Sequence, residues 1–449
     1  MIPLIVTNAK YPIKGTVTIK YLLCFALAAL ILSGCSDHTK TLQNKAAVKK
    51  LEELLDKKEY FRLETQFQLC AGKLDNKDRL YFKAFIDNAF NRNIECVNDI
   101  DSLLKNDQLR TPDSARAVLK VLQTDSYFKS FQYAKAAKND SSIVKDYAHT
   151  LPKEEIDDIK NDFIKAGALS GVPAQQTVIK RNASIPWTKD KLGLIEIPLI
   201  SHGHGFNGIF DTRANISSIT QTYARKLGLH VLNATYNEGS GATGITFKTG
   251  IGVADSLLIG DIVVRNAVFQ VMPDSILYIA PVKFQLNIII GFPVIEQLQE
   301  VDLFKDGHMV IPSTPTKSGL HNLALDALDP VILLKSGNDS LSFYFDSGAV
   351  TTDLYSAYFE RYKKLILKTA IKKKAEFGGA GGTQKKDVYI LPEFNAMLGN
   401  EPAAMDSVSI LTKKIYPKER FYGNLGQDFM ANFSELAFNF KYMYVKGVK

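Results

Sequence analysis

The feature that most constrains this fold is an internal duplication. Phe210-Asp211-Thr212-Arg213-Ala214 is followed downstream by Asn287-Ile288-Ile289-Ile290-Gly291, and Phe345-Asp346-Ser347-Gly348-Ala349 is followed by Gly423-Asn424-Leu425-Gly426. Asp211 and Gly291 are as far apart in the chain as Asp346 and Gly426. One constant offset therefore carries the first copy onto the second at both motifs. Between its motifs each copy carries one glycine cluster, with Gly239, Gly241 and Gly244 in the first and Gly378, Gly379 and Gly381 in the second. Each copy then closes with an apolar strand, His308 to Ile311 and Tyr442 to Val445. Four matched features in one order mark two copies of one supersecondary unit.

Around these motifs the sequence reads as all-β. Short β-branched runs alternate with Gly-rich turns, as in Gly193 to Ile200. Before Gly171-Val172-Pro173 the pattern is helical over residues 45–168. Phe82, Phe85, Ile86, Ala89 and Phe90 repeat at helical spacing, and Thr111-Pro112 reads as a helix start. Helix pairs joined by short turns resemble a tetratricopeptide-like array, suited to act as a spacer or a docking surface. Pro312 to Gly319 is a second linker. The expected fold class is thus multidomain, α followed by all-β. The domains are a leader at 1–34, a helical domain at 35–172, a first β lobe at 173–314 and a second at 315–449. With 449 residues, of which 46% are hydrophobic and 23% charged, the composition is ordinary and excludes disordered, collagenous and coiled-coil chains. Four cysteines are too few for a disulfide-stapled scaffold. A net charge of +8 spread over this length gives no nucleic-acid signature.

The N-terminus reads as an address. Lys10, Lys14 and Lys20, with no acid, precede an apolar run from Tyr21 to Leu32 that ends in Leu32-Ser33-Gly34-Cys35. The run is short for a membrane span. Leu-Ser-Gly-Cys resembles a bacterial lipobox, which implies cleavage before Cys35 and acylation of its thiol. The location implied is the bacterial cell envelope, lipid-anchored to a membrane on the periplasmic or outer-membrane side. Cleavage would remove three lysines and no acid, taking the net charge from +8 to +5. Export favours disulfides. Cys70 and Cys96, on successive helical patterns, fit either a disulfide or two buried thiols.

The duplicated motifs resemble those of the aspartic proteases, most of all retropepsin-like enzymes whose two lobes are fused in one chain. Asp346-Ser347-Gly348-Ala349 fits the family's Asp-Thr/Ser-Gly-Ala, and Ile289-Ile290-Gly291 fits its closing apolar-apolar-Gly. The resemblance spans about residues 176–447. It implies a pseudo-two-fold pair of catalytic carboxylates, Asp211 and Asp346. Thr212, Ser347, Gly348, Ala214 and Ala349 would support the two loops, and the glycine clusters would be flaps closing over substrate. Peptide hydrolysis needs a base to deprotonate water and an acid to protonate the carbonyl. Two adjacent carboxyls sharing one proton supply both. The implied partner is a peptide or protein substrate, acting on a monomer with fused lobes, with no metal, no cofactor and no nucleic acid.

One residue departs from the motif. Arg213 stands where the family has glycine. A guanidinium beside the dyad would favour two ionised carboxylates and so disfavour the shared proton. Pointing outward, it could instead bind a substrate carboxylate or a nearby acid. An active endopeptidase, a catalytically degenerate peptide-binding protein and an interaction protein working through its helices all remain open at this level. His202 and His204, two apart ahead of a hairpin expected at Gly205 to Gly208, would share one strand face. Lys363 to Lys374 reads as a solvated helix face.

Overall fold

The computed structural model describes residues 35–105, 111–239, 246–379, 382–415 and 419–449. The leader at 1–34 and the glycines Gly241, Gly244 and Gly381 lie outside the described residues. The chain divides into two compact units, one mainly helical and one mainly β.

The helical unit runs α1 Cys35–Asp56, α2 Tyr60–Cys70, α3 Asn76–Ala89, α4 Asn93–Lys105, α5 Asp113–Lys129, α6 Tyr133–Ser142 and α7 Lys153–Leu169. Neighbours in sequence are neighbours in space, as short connections require. The stripe Phe82, Phe85, Ile86, Ala89 and Phe90 is buried. Asp75 caps α3, its carboxylate accepting the Asp78 amide at 2.8 Å. A buried polar knot ties α3 to α5. Lys129 pairs with Asp125 at 2.8 Å, and Asn88 donates to the same carboxylate at 2.6 Å. Cys70 and Cys96 are free and buried, which removes the disulfide option. They have different neighbours: Cys96 lies beside Ser126 and Lys129 of α5, Cys70 beside Gln66 and Lys73. Burial pushes the Cys96 thiol up to about 12, so it is a packing residue rather than a nucleophile.

The β unit is built twice. In the first lobe, strand His204–Phe210 runs parallel to Ile288–Ile290, with Ile289 opposite Ile209 and Ile290 opposite Phe210. In the second, Asp339–Phe345 runs parallel to Gly423–Leu425, with Asn424 opposite Tyr344 and Leu425 opposite Phe345. Flanking strands keep the same correspondence, Ile288 opposite Ile219 and Gly423 opposite Leu354. Each lobe then sends out a long hairpin, His230–Gly239 with Thr246–Ile259 and Ile371–Gly379 with Gly382–Leu398. Lys372, Lys373 and Lys374 lie on this second hairpin, and only Lys363, Lys364 and Lys368 lie on helix Ser356–Thr369. The expected single helix face is therefore split, because the helix ends before Ala370 and the chain turns into a strand.

A third sheet joins the lobes. Its order is Ala183–Pro186, His308–Ile311, Glu300–Phe304, Glu435–Asn439 and Tyr444–Val448. Its central pair is antiparallel, with Glu300 opposite Asn439, Asp302 opposite Ala437 and Phe304 opposite Glu435. The offset that carries Asp211 onto Asp346 also carries Glu300–Phe304 onto Glu435–Asn439, so each strand of the pair is the other's copy. Such a ladder is its own two-fold partner, and the axis relating the two strands passes between Asp302 and Ala437. Phe292 packs on Phe440 across this seam, and Phe345 packs on Phe438 within the second lobe.

Candidate active site

Both candidate aspartates sit just past the end of a buried central strand, held by the closing motif of their own lobe. The Asp211 amide donates to the Ile290 carbonyl at 3.0 Å, and the Asp346 amide to the Leu425 carbonyl at 2.9 Å. The closing glycines are required by contact. A Cβ on Gly291 would lie 2.5 Å from the Ala214 carbonyl oxygen, and one on Gly426 2.6 Å from the Thr351 carbonyl carbon. Phe292 and Gln427 then donate their amides to the carbonyls of Ala214 and Ala349 at 2.7 and 2.8 Å. Each Asp loop is thereby strapped to the closing segment far downstream in its own lobe.

The two loops lock to each other across the axis. The Thr212 amide donates to Ser347 Oγ at 3.0 Å, and the Ser347 amide to Thr212 Oγ1 at 3.0 Å. Thr212 Oγ1 donates to the Phe345 carbonyl at 3.2 Å, and Ser347 Oγ to the Phe210 carbonyl at 2.7 Å. All four bonds are buried and link the lobes reciprocally. Replacing Ser347 by alanine removes a hydroxyl that both donates and accepts. We expect a loss of about 1–3 kcal/mol, read as a lowered Tm, with the Thr212 amide left unpaired.

The loops also touch each other's carboxylates. A Cβ on Gly348 would lie 2.5 Å from Cγ and Oδ2 of Asp211. In the first lobe the matching position is Arg213, and its guanidinium lies 3.9 Å from Asp346 Oδ2. Arg213 does not point to solvent. It is 2% exposed and enters the second lobe. Its Nε pairs with Asp329 at 3.3 Å and Nη1 donates to Asn424 Oδ1 at 2.8 Å. Its guanidinium lies 4.1 Å from the Tyr344 ring centre, and Nη1 lies 3.5 Å from the Tyr355 hydroxyl. Of the three outcomes expected for Arg213, the fold combines proximity to a candidate aspartate with pairing to a nearby acid, and the buried guanidinium does not point outward to a substrate carboxylate.

Nothing in the sequence motifs singles out Asp329, Tyr344 or Tyr355, and Asn424 enters only as a member of the closing segment. The duplication nonetheless holds a signal for all four. Under the offset that relates the copies, their counterparts in the first lobe are Leu194, Ile209 and Thr220, with Ile289 for Asn424. Four apolar or small positions have become a polar cradle in the second lobe, matching the replacement of one glycine by arginine in the first.

Both candidate carboxyls, Asp211 and Asp346, are fully buried. Burial, and then the charge of Asp346, push Asp211 well above the usual carboxylate range. Burial raises Asp346 to about 6, opposed first by the Arg213 charge and then by Asn424, whose Nδ2 donates to Asp346 Oδ2 at 3.0 Å. Asp211 Oδ1 accepts the Arg213 amide at 2.8 Å. Asp211 Oδ2 and Asp346 Oδ1 meet no hydrogen-bond partner among the described residues.

Asp353, on the strand beside Asn424, is a further buried acid. Burial and the charge of Asp428 push it up to about 8, with Ser409 and Lys386 offsetting only part. A raised carboxyl favours the fold while protonated. That contribution is complete below the unfolded value of about 3.9 and is lost as pH rises toward 8. Asp353→Asn is therefore expected to raise stability at pH 8 by about 1–3 kcal/mol and to change little at pH 4, measured by paired thermal melts.

The remaining sequence candidates distribute as follows. Gly239 ends one arm of the first long hairpin, paired with Thr246, while Gly379 pairs with Gly382 in the second. His202 and His204 do not share a strand face. The hairpin turn is His202-Gly203, both at positive φ (49° and 77°), with Ser201 opposite His204. The turn falls there because Gly203 takes the left-handed conformation at no steric cost. Gly205 and Gly208 are strand residues. The His202 ring lies over Gly228, where a Cβ would meet it at 2.8 Å.

Residues 197–294 match an aspartyl protease family model. The matched span contains Asp211 and the closing Ile289-Ile290-Gly291, and so covers most of the first lobe despite Arg213. No curated protein matches the chain. The match lies within the first lobe, and the second lobe repeats its parallel strand pairing and closing motif.

Proposed function

We propose that the chain is an aspartic endopeptidase that hydrolyses peptide bonds with Asp211 and Asp346. One carboxylate takes a proton from water as the water oxygen bonds to the peptide carbonyl carbon. The protonated partner gives its proton to the carbonyl oxygen. Collapse of the resulting diol breaks the C–N bond, returns a hydroxyl proton to the second aspartate and sends the first one's proton out on the amine. The reading is carried by the reciprocal Thr212–Ser347 bonds, which set the two acid loops against each other. Arg213 does not upset the charge balance, because Asp329 is held against it. Asp329 offsets part of the guanidinium charge at Asp346, so one proton can still reside on the pair.

Such a site should bind tightly any peptide carrying a secondary alcohol in place of the scissile carbonyl, since a tetrahedral carbon resembles the transition state. Hydrolysis of an unfolded protein by the purified chain should stop on adding such a peptide at a dose where the matching amide peptide has little effect. Equal inhibition by both would count against this chemistry.

A second reading keeps the same cleft as a peptide-binding module without turnover. The full burial of both carboxyls and the exchange of the motif glycine for Arg213 favour it. Peptide binding without cleavage over pH 4–8 would select this alternative. We further propose export and acylation at Cys35, on the strength of the basic leader, the apolar run and Leu32-Ser33-Gly34-Cys35. Cys35→Ser should abolish the acyl mass increment and release the chain from the membrane fraction. The helical unit then serves as a spacer between the anchor and the protease domain.

A further inference from the structure

The two halves of the dyad are not equivalent, and the inequality has a structural source outside the motif. Asn424 donates Nδ2 to Asp346 Oδ2 at 3.0 Å, and its Oδ1 accepts from Arg213 Nη1 at 2.8 Å. An amide side chain can turn either end toward a carboxylate. Here the guanidinium, which can only donate, takes the oxygen end and leaves only the donor end for Asp346. The matching residue in the first lobe is Ile289, which has no donor for Asp211.

We propose that Asn424, oriented by Arg213, is a positioning residue that fixes Asp346 as the ionised member of the dyad and Asp211 as the member that carries the proton. This deepens the endopeptidase reading and rests on it. In that reaction Asp346 is the base toward water and Asp211 the acid toward the carbonyl oxygen. An unbiased dyad can place its proton on either carboxyl, whereas this one is set before substrate arrives.

The groups around Asp346 all bear on the argument. Asp211 faces it from the partner loop, and the Asp346 charge favours protonation of Asp211. Arg213 favours its ionisation, and Asp329, which pairs with Arg213, opposes ionisation. Asp353, on the strand next to Asn424, is electrostatically coupled to Asp346. The Tyr344 ring and the Tyr355 phenol flank the guanidinium, and burial pushes the Tyr355 hydroxyl well above its usual range. The cross-lobe exchange of residues makes Asn424 and Arg213 the only two of these that both favour ionisation and replace an apolar or glycine counterpart.

The test compares the wild type with Asn424→Ile and with Arg213→Gly/Asp329→Leu. Each substitution installs the residue found at the matching position of the other lobe. The acid limb of kcat/KM should move up by about 1–2 pH units in both variants, since each loses a hydrogen bond or charge that favours the ionised form. A limb that stays in place or moves down in Asn424→Ile overturns the relay. So does a shift confined to the Arg213 variant, because Arg213 would then act directly. Carbon-13 NMR titration of labelled aspartates in the wild type provides a readout independent of turnover and of variant folding. Asp346 must lose its proton at lower pH than Asp211. The reverse order overturns the proposal even if the enzyme is active. A correct order in a chain that cleaves nothing would sink the endopeptidase reading and leave the relay standing.

Discussion

Asp346→Asn is expected to lower cleavage of an unfolded protein by about a thousandfold or more while leaving the fold intact. The substitution keeps the side chain's shape and its place beside Asn424, and removes the group that takes a proton from water. General acid–base participation of this kind contributes about 10²–10⁴-fold, and residues that act as a unit lose most of the effect when one is removed. Asp211→Asn should cost a similar factor, and combining the two should add little. The Tm should hold or rise, because each variant removes a carboxyl that burial penalises when ionised. Peptide binding by Asp346→Asn should persist. Residual cleavage within tenfold of the wild type, in protein shown to be free of other proteases, would remove Asp346 from the mechanism.

The pH dependence follows from the same two groups. The working state needs Asp346 ionised and Asp211 protonated. Activity should rise as pH passes about 6, where Asp346 loses its proton, and fall at the higher pH where Asp211 does. The optimum is therefore nearer neutrality than for a pair of solvated carboxyls, whose ordinary values lie near 4.

The second large effect is on stability, at the ion pair of Arg213 with Asp329. Both side chains are buried, and each is the other's charge partner. Asp329→Leu leaves a guanidinium in the interior facing only neutral donors and acceptors and one dyad carboxylate. Breaking a buried pair from one side costs about 3–5 kcal/mol. Arg213→Gly leaves Asp329 in the same position and adds a cavity. The double variant Arg213→Gly/Asp329→Leu installs the symmetry-related combination, Gly348 of the second lobe with Leu194 of the first, and should be closer to the wild type than either single variant. Denaturant melts of the four proteins form a double-mutant cycle, for which a coupling of about 2 kcal/mol or more is expected. Additive losses would mean that the two charges do not depend on each other.

Much of this architecture is legible in the linear chain because duplication writes structure into spacing. Two identical separations and one constant offset locate both acid loops, both closing glycines and the existence of a lobe-relating axis. Local chemistry gives the reason for each: an acid after an apolar strand, and a glycine where a carbonyl leaves no room for a Cβ. The helical stripe around Phe82 to Phe90 is visible for the same reason, since its period is a property of neighbouring residues. Tertiary structure decided what depends on contacts between residues far apart in sequence. Arg213 reads in the chain as an intrusion beside the dyad. Folded, it crosses into the other lobe to meet Asp329 and Asn424, which lie 116 and 211 residues away. Cys70 and Cys96 show the converse, for a spacing that permits a disulfide does not direct two thiols at each other. Sequence spacing determines which backbone segments can be equivalent. Only the assembled interior determines where a buried charge finds its counter-charge, because in a low-dielectric core an ion must be neutralised by whatever the fold brings within reach.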